Sequence, residues 1–272
     1  MITKTDRFES ISAFAAHIDS VQRAPVKHAE HSKNNGATPA WDMGAGFAGA
    51  LTMGLNGGLW DEGAAQLQSV DVTGAVDTMA DTIAPAIIYD VTGGAVDISA
   101  YMSDDPECFF RLDDEVQQAP IIKIGVCAVP CANIESHELM NQGRAIMALV
   151  DALELQGYST ELTALIPFKK REATYLVEVV VKAAGAPWDA SSVAFALAHP
   201  AFSRRLGFKA LEVQPNYSYI TAEGYGRGDI DAPVEYDIYF DYLTSNSIVS
   251  TPDGALEYVK ETARGQCPSL GL

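Results

Sequence analysis

The stretch 121-IIKIGVCAVPCANIESHELMNQGRAIMALVDALELQGYSTELTALIPF-168 decides the fold of this chain. Ile121–Cys127 is a continuous apolar run with one lysine, which is typical of a strand buried on both faces. Between Ser136 and Leu155 apolar residues recur at helical spacing, and Gly157 ends that pattern. Residues 158–166 then predict a second strand. A strand, a long helix and another strand indicate the opening of a nucleotide-fold-like α/β domain.

The remaining C-terminal half continues this alternation of strands and helices. Pro200 should divide a helical segment in two, because proline removes an N–H and clashes with the preceding turn. We predict a strand, two helices, an alternating strand and a final helix over residues 175–182, 189–199, 200–211, 235–243 and 253–264. The sequence therefore predicts an α/β fold with a mostly parallel sheet flanked by helices.

The N-terminal part of the chain has a different pattern. The spacing of apolar residues predicts helices over residues 8–21, 41–55 and 61–70. Residues 87–91 and 95–98 flank a glycine turn, and we interpret them as a β-hairpin. We expect residues 1–118 to form a helical and β-hairpin region and residues 119–272 to form the α/β core, although no clear linker divides them.

Charge is the outlying property of the composition. The 272 residues include 36 acidic and 18 basic ones, which gives a net charge of −18. This balance argues against non-specific nucleic-acid binding, which depends on Lys and Arg. Between Asp61 and Glu115 there are thirteen acidic residues against a single basic one, Arg111, which indicates one acidic face. We expect no membrane span, no secretory signal and a reducing cytoplasm.

Motifs that carry chemistry are weak in this chain. The glycines at 44, 46 and 49 match a dinucleotide-binding spacing, but no apolar strand precedes them, as that motif requires. Neither a phosphate-binding P-loop nor a nucleophile elbow occurs. The sequence therefore predicts no catalytic residue, no metal ligand and no cofactor.

The segment 199-HPAFSRR-205 places a histidine and paired arginines in a helix of an acidic protein. It indicates either an internal ion-pair anchor or a contact surface. The internal anchor is favoured, because charges near helices are usually paired locally.

Several blocks of the sequence resemble a family of uncharacterised tailed-phage proteins. They are DVTGGAVDI at 90–98, DPEC at 105–108, GRA at 143–145, ALVDALE at 148–154, GY at 157–158, and AFALAHP at 194–200 with the arginine pair at 204–205. The blocks lie between about residues 8 and 212. The resemblance implies a phage or prophage origin and a role inside the infected cell.

The C-terminal half also resembles von Willebrand A-type domains. That resemblance implies a D-x-S-x-S motif at the end of the first strand, where Mg²⁺ binds. Here the corresponding residues, Cys127 to Asn133, lack the aspartate and the serine pair, and Glu135 and Ser136 come too late. Because a hard cation needs oxygen ligands that usually include a carboxylate, we expect the scaffold without its metal site.

We therefore expect a non-enzymatic, acidic phage protein that binds a host or phage protein in the host cytoplasm. Docking should use the acidic region or the loop at residues 128–133, since ligands of open parallel sheets bind beyond the carboxyl ends of strands. A narrower version is an acidic decoy that occupies a nucleic-acid-binding protein. The predicted binding residues are Cys131, Asn133, Glu135, Ser136, His199, Arg204 and Arg205.

Other interpretations stay open. An enzyme or nucleotide-binding protein could use the same strand-end crevice, with Cys131, Glu135, His137 and Asp189 as candidates. Cys131 with His137 or His199 could act as a nucleophile and base, because a helix N-terminus lowers the pKa of a nearby thiol. A virion structural subunit and a homo-oligomer are further alternatives.

Overall fold

A computed structural model of the chain describes residues 4–21, 31–33, 39–68, 87–92, 94–103, 105–112, 120–131, 134–170, 173–214, 233, 235–243 and 248–270. The strands in chain order are β1 (Lys4–Phe8), β2 (Ile87–Asp90), β3 (Ala95–Val96), β4 (Phe109–Leu112), β5 (Ile121–Cys127), β6 (Ser159–Lys170), β7 (Ala173–Lys182) and β8 (Ile238–Phe240). The helices are α1 (Ile11–Ser20), α2 (Pro39–Asp42), α3 (Gly46–Leu55), α4 (Asp61–Gln68), α5 (Ile98–Met102), α6 (Ser136–Leu155), α7 (Ala190–Val193), α8 (Phe208–Glu212) and α9 (Pro252–Gln266).

The main sheet has five strands in the order β1-β7-β6-β5-β8. Three of the pairings, β1 with β7, β5 with β6 and β5 with β8, are parallel. The pairing of β6 with β7 is antiparallel. The predicted α/β fold with a mostly parallel sheet flanked by helices is confirmed.

Strand β1 was missed by sequence reasoning. Its residues are partly buried at Lys4, Asp6 and Phe8 and exposed at Thr5 and Arg7, so the strand alternates as a sheet edge does. The segment carries too much charge to be recognised as a strand from hydrophobicity alone. It ties the N-terminus to β7 of the α/β half.

One face of the sheet is covered by α1 and by the segment that ends in α8. Phe8 lies 5.1 Å from Phe14 of α1, and Phe168 of β6 lies 6.2 Å from Phe208 of α8, between ring centroids. Buried residues of α1 and α4 belong to the same hydrophobic core as the sheet. The expected domain boundary at residue 118 falls outside the described residues and stays a prediction.

The segment before α8 is buried from Val193 onward and is divided at Pro200, as predicted. Helix α7 continues into a π-helical turn, Ala194–Ala198, and His199 then adopts an extended conformation. A second π-helical turn, Phe202–Gly207, leads into α8. Gly207 allows this turn to approach the sheet, because an added Cβ would lie 2.8 Å from Ile166.

The helix predicted over residues 41–55 is wrong as a single element. The chain forms α2 and α3, separated by Met43 and Gly44, which both have positive φ. The Asp42 carboxylate stabilises this break, because it accepts the N–H groups of Gly44 and Gly46 at 3.0 Å each.

The predicted hairpin has the right strands and the wrong pairing. Both β2 and β3 pair antiparallel with β4, so the small sheet has the order β2-β4-β3. The residues expected to end the hairpin form α5 instead, because the Asp97 carboxylate accepts the Ala100 N–H at 3.1 Å and begins a helix.

Strand β8 is shorter than the predicted 235–243. The predicted alternation of buried and exposed residues is interrupted at Tyr239, which is buried like its neighbours Ile238 and Phe240. The Gln266 side chain takes the place of a further neighbouring strand at β8. It accepts the Tyr239 N–H at 2.7 Å and donates to the Tyr239 carbonyl at 2.9 Å, which satisfies backbone groups of the strand. Among the described helices, none is both long and apolar enough to cross a membrane.

Candidate functional site

The loop after β5 lies at the carboxyl end of that strand, beside the segment after β8. Cys131 N–H donates to the Leu243 carbonyl at 3.1 Å, and Ala128 N–H donates to the Leu165 carbonyl at 2.8 Å. Strand β5 stands between β6 and β8, so the order of strands reverses here. The loops expected to form a strand-end crevice are therefore neighbours, at the position where open sheets bind ligands.

The predicted binding residues at this loop divide into two groups. Cys131 is half-buried, whereas Glu135 and Ser136 are exposed at the start of α6. Glu135 pairs with exposed His137 through Oε2 and Nδ1 at 3.2 Å. Asn133 lies outside the described residues.

Arg204 holds the loop from its buried side. Its guanidinium donates to the Cys131 carbonyl at 3.2 Å and to the Trp41 carbonyl at 2.7 Å. The side chain is buried, and burial lowers its pKa. The structure thus brings Cys131 and Arg204 together, with the arginine acting on the backbone of the loop.

Arg205 forms a buried ion pair with Asp42. Its Nε donates to the Asp42 carboxylate at 2.7 Å, its Nη1 donates to the Ser32 carbonyl at 2.9 Å, and its guanidinium lies 4.8 Å from the Trp41 ring centroid. Glu212 completes the network by accepting the Ser32 N–H at 2.9 Å. Arg205 therefore fastens residues 31–33 and α2 to the segment before α8.

His199 is buried between aromatic rings. Its ring centroid lies 4.6 Å from that of Trp60 and 5.7 Å from that of Phe195, and its Nδ1 accepts the Ala201 N–H at 3.1 Å. Burial lowers the pKa of His199 to about 4, so the ring is neutral at physiological pH. A contact of His199 or the two arginines with a partner stays a prediction, and their geometry is that of an internal anchor.

The enzyme candidates are not brought together as one constellation. Asp189 caps α7 by accepting the Ser192 N–H at 2.7 Å. Its neighbour Trp188 donates to Asp151, near the C-terminal end of α6, at 2.9 Å. Because α6 starts at Ser136, this contact lies about 22 Å along the helix from the loop. Asp189 therefore sits at the other end of the helix from Cys131.

Clusters of three or more His, Cys, Asp or Glu side chains that could hold a metal ion are absent from the part of the chain that the structure describes. The carboxylate nearest in sequence to the β5 loop belongs to Glu135, and it pairs with His137 at the start of α6. The Glu138 side chain accepts the Glu135 N–H at 3.0 Å, which is half of a capping box.

The small sheet carries an exposed apolar surface that sequence reasoning missed. Ile98, Tyr101 and Met102 of α5 are 74%, 62% and 78% exposed. Their spacing puts them on one face of the helix. Tyr89 of β2, which is 48% exposed, lies beside the start of this helix, since its hydroxyl donates to the Asp97 carboxylate at 3.3 Å. We call these four residues the apolar ridge.

Acidic residues flank the apolar ridge at both ends of α5. Asp97 caps the start of the helix, and Asp105 N–H donates to the Ala100 carbonyl at 3.1 Å, which places Asp105 at its end. Glu107, two residues after Asp105, is exposed. The apolar ridge therefore lies between carboxylates, within the stretch 61–115 for which the sequence predicts an acidic face.

Comparison with known proteins places the chain in a family of unknown function. No curated protein and no solved structure matches the chain. A family model described as "Domain of unknown function (DUF7192)" matches residues 3–263, which is nearly the whole chain. The chain belongs to this DUF7192 family.

Proposed function

We propose that this chain is a protein-binding module without catalytic activity, which docks a partner on the apolar ridge. The exposure of Ile98, Tyr101 and Met102 carries the proposal. A five-residue helix that turns three large apolar side chains to water gains little from burial within its own fold. Grouped apolar side chains with a polar rim are typical of protein interaction sites.

The charge around the apolar ridge indicates what kind of partner fits. Asp97 and Asp105 lie at the two ends of α5, and the whole chain carries a net charge of −18. A second copy of the chain would bring like charges together, which opposes association. A partner segment with apolar and basic side chains would cover the ridge and pair with the carboxylates. A host or phage nucleic-acid-binding protein has this chemistry.

The broader setting of the proposal is a phage protein in the cytoplasm of the infected cell, with a von Willebrand A-like core that lacks the metal site. The sequence blocks that resemble tailed-phage proteins support the origin. The position of β5 between β6 and β8, and the crossover through α6, support the scaffold. Among residues 128–131 and 134, which the structure describes, no carboxylate follows β5.

A peptide-binding measurement tests the proposal. A fluorescent amphipathic peptide of leucine and lysine should bind the protein, and a twin with glutamate in place of lysine should not. The variant Ile98→Ser with Met102→Ser should bind at least about tenfold more weakly, because each buried apolar side chain contributes on the order of 1.5–3 kcal/mol. Fluorescence anisotropy measures both affinities.

Leu155→Ser provides the matched control, because Leu155 is 67% exposed at the end of α6 and lies outside the apolar ridge. This variant should bind like the wild type. Equal affinity for all three proteins would contradict the proposal. So would a dimer that the ridge variant dissociates, since the ridge would then serve a second copy.

A further inference from the structure

The two edges of the main sheet differ in how their backbone groups are satisfied. At β8 the Gln266 side chain bonds both the N–H and the carbonyl of Tyr239, so this edge is closed. Strand β1 forms the other edge, where β7 is its neighbour. Thr5 and Arg7 of β1 are exposed. An edge strand offers N–H and C=O groups to another chain, so the two edges have different capacities for binding.

The hydrogen bonds of β6 and β7 show which backbone groups of β1 face outward. Along a strand, backbone groups point alternately to the neighbour on one side and to the neighbour on the other. The Leu165 carbonyl accepts the N–H of Ala128, just after β5, at 2.8 Å. Leu165 therefore bonds toward β5, and the next residue, Ile166, bonds toward β7. Ile166 lies opposite Val177, so Val177 bonds toward β6 and the residues on either side of it bond toward β1.

Those two residues of β7 lie opposite Thr5 and Arg7 in a parallel pairing. In a parallel pair, a residue bonds to the two that flank its opposite number, which are here Lys4, Asp6 and Phe8. The N–H and C=O groups of Thr5 and Arg7 therefore point away from the sheet. Within the described ranges of the chain, these four groups have no hydrogen-bond partner. We call them the open edge.

The cations of β1 do not guard the open edge. Edge strands are commonly protected from other chains by charged side chains, especially lysine. The Lys4 ammonium instead lies over the sheet, 5.2 Å from the Tyr175 ring centroid, and donates to Gln214 Oε1 at 3.0 Å. Arg7 donates at 2.9 Å to Glu161, which belongs to β6, two strands away. Both positive charges are thus held by groups of the fold itself.

The two faces beside the open edge differ in chemistry. On one face, Arg7 donates to Glu178 at 3.3 Å and its Nε lies 3.9 Å from exposed Glu9, so that with Glu161 three carboxylates surround one guanidinium. Phe8, on the opposite face, is partly buried. An added strand would therefore fit best with basic side chains on the Arg7 face and apolar side chains on the Phe8 face.

We propose that an extended basic segment of a partner protein adds to β1 as an antiparallel sixth strand of the five-stranded main sheet. Backbone bonds to Thr5 and Arg7 provide affinity, and the alternating side chains provide specificity. The two-residue spacing of the outward groups matches an antiparallel strand, whose hydrogen-bonded pairs recur at every second residue. A second copy of the chain fits poorly. In a symmetric antiparallel pairing each Asp6 would lie opposite its counterpart, and both copies carry a net charge of −18.

Two N-methylated forms of one peptide test this geometry. The probe is a capped, fluorescent peptide of alternating lysine and valine. In an antiparallel strand, the residues opposite Thr5 and Arg7 bond to them and share their face, so the lysine amides face β1 and the valine amides face away. Methylation of the lysine amides should weaken binding at least about tenfold, because it removes the donors and places methyl groups against β1. Methylation of the valine amides should change affinity by less than about twofold.

Fluorescence anisotropy measures these affinities. Equal affinity of the two methylated peptides, a larger loss from valine methylation, or no binding of the unmethylated peptide would overturn the proposal.

Substitutions at position 5 of the full-length chain locate the binding. Thr5→Pro removes an N–H that faces outward, and proline is tolerated on an edge strand in that setting. It should weaken binding of the unmethylated peptide at least about fivefold, whereas Thr5→Ala keeps the backbone groups and should bind like the wild type. Urea unfolding verifies that both variants fold. Wild-type affinity in folded Thr5→Pro, or an equal loss in Thr5→Ala, would refute the assignment. So would a dimer of the free protein that Thr5→Pro dissociates, since the open edge would then serve a second copy.

Binding at the open edge is separable from docking on the apolar ridge, because the small sheet and the main sheet share no strand. The ridge variant, Ile98→Ser with Met102→Ser, should bind the lysine–valine peptide like the wild type. Thr5→Pro should likewise bind the leucine–lysine peptide normally. Loss of lysine–valine binding in the ridge variant would place that peptide on the ridge and contradict its assignment to β1.

Discussion

Replacement of Asp42 by alanine should destabilise the protein strongly, because Asp42 in the short helix α2 pairs with Arg205, 163 residues further along the chain. The Asp42 and Arg205 side chains are only 4% and 3% exposed. Alanine would remove the carboxylate that pairs with the buried Arg205 guanidinium. It would also leave the Gly44 and Gly46 N–H groups without their acceptor.

The size of this effect follows from those contacts. Removing one partner of a buried ion pair costs about 3–5 kcal/mol. Each lost hydrogen bond to the start of α3 adds on the order of 1 kcal/mol, although terms that share a side chain are not additive. We expect a loss of about 4 kcal/mol, a large part of the roughly 5–15 kcal/mol that stabilises a typical domain.

Urea unfolding followed by tryptophan fluorescence measures this loss. Asp42→Asn keeps an acceptor for one N–H group and should cost less than alanine. Asp19→Ala, at an exposed position of α1, should change stability by less than about 0.5 kcal/mol. If Asp42→Ala lowers the free energy of unfolding by less than about 1 kcal/mol, Arg205 is not an internal anchor. The alternative, in which the arginine pair forms a contact surface, would then be favoured.

Three further predictions concern single positions. Because burial lowers the pKa of His199 to about 4, the unfolded chain takes up this proton first as pH falls below 6.5. Up to roughly 3 kcal/mol of stability should therefore be lost between pH 6.5 and pH 4, and His199→Asn, whose Oδ1 can accept the Ala201 N–H, should flatten that part of the pH profile. Gly125→Ala should destabilise the fold by about 1–3 kcal/mol in urea unfolding, because its Cβ meets Tyr236. Cys127, whose pKa burial raises to about 12, should resist maleimide at neutral pH until the protein unfolds, as peptide mass mapping would show.

The sequence predicts the centre of this fold well. The bounds of β5 and α6 agree with the pattern of apolar residues, because a strand buried on both faces and a long helix against a sheet leave strong periodic signals. The break at Pro200 is equally predictable, since proline acts through local backbone chemistry. The π-helical turns beside it depend on tertiary packing and leave no such signal.

Features that depend on partners distant in sequence escaped prediction. Strand β1 forms because β7 offers a free edge, and its own residues are too charged to reveal it. The pairing of β2 and β3 with β4 depends on a strand that the sequence pattern did not separate from the acidic loop.

The candidate sites were predictable only in part. The internal role of Arg205 was foreseen from the arginine pair in a buried helix, but its partner Asp42 lies 163 residues earlier. The apolar ridge was hidden because Ile98 was assigned to a strand, which obscured its helical spacing with Tyr101 and Met102. Arg7 donates to Glu178 across 171 residues, and the spacing of residues along the chain does not predict that pairing.

The most direct test of the central claim is photo-cross-linking in living cells that express the protein, with a photoreactive residue in place of Ile98 or, as control, Leu155. The account predicts a discrete cross-linked species at Ile98 that contains a basic protein, is absent at Leu155, and disappears when Met102→Ser is added. Identical products at both positions, a second copy of this chain at Ile98, or no product at Ile98 would contradict docking of a basic partner on the apolar ridge.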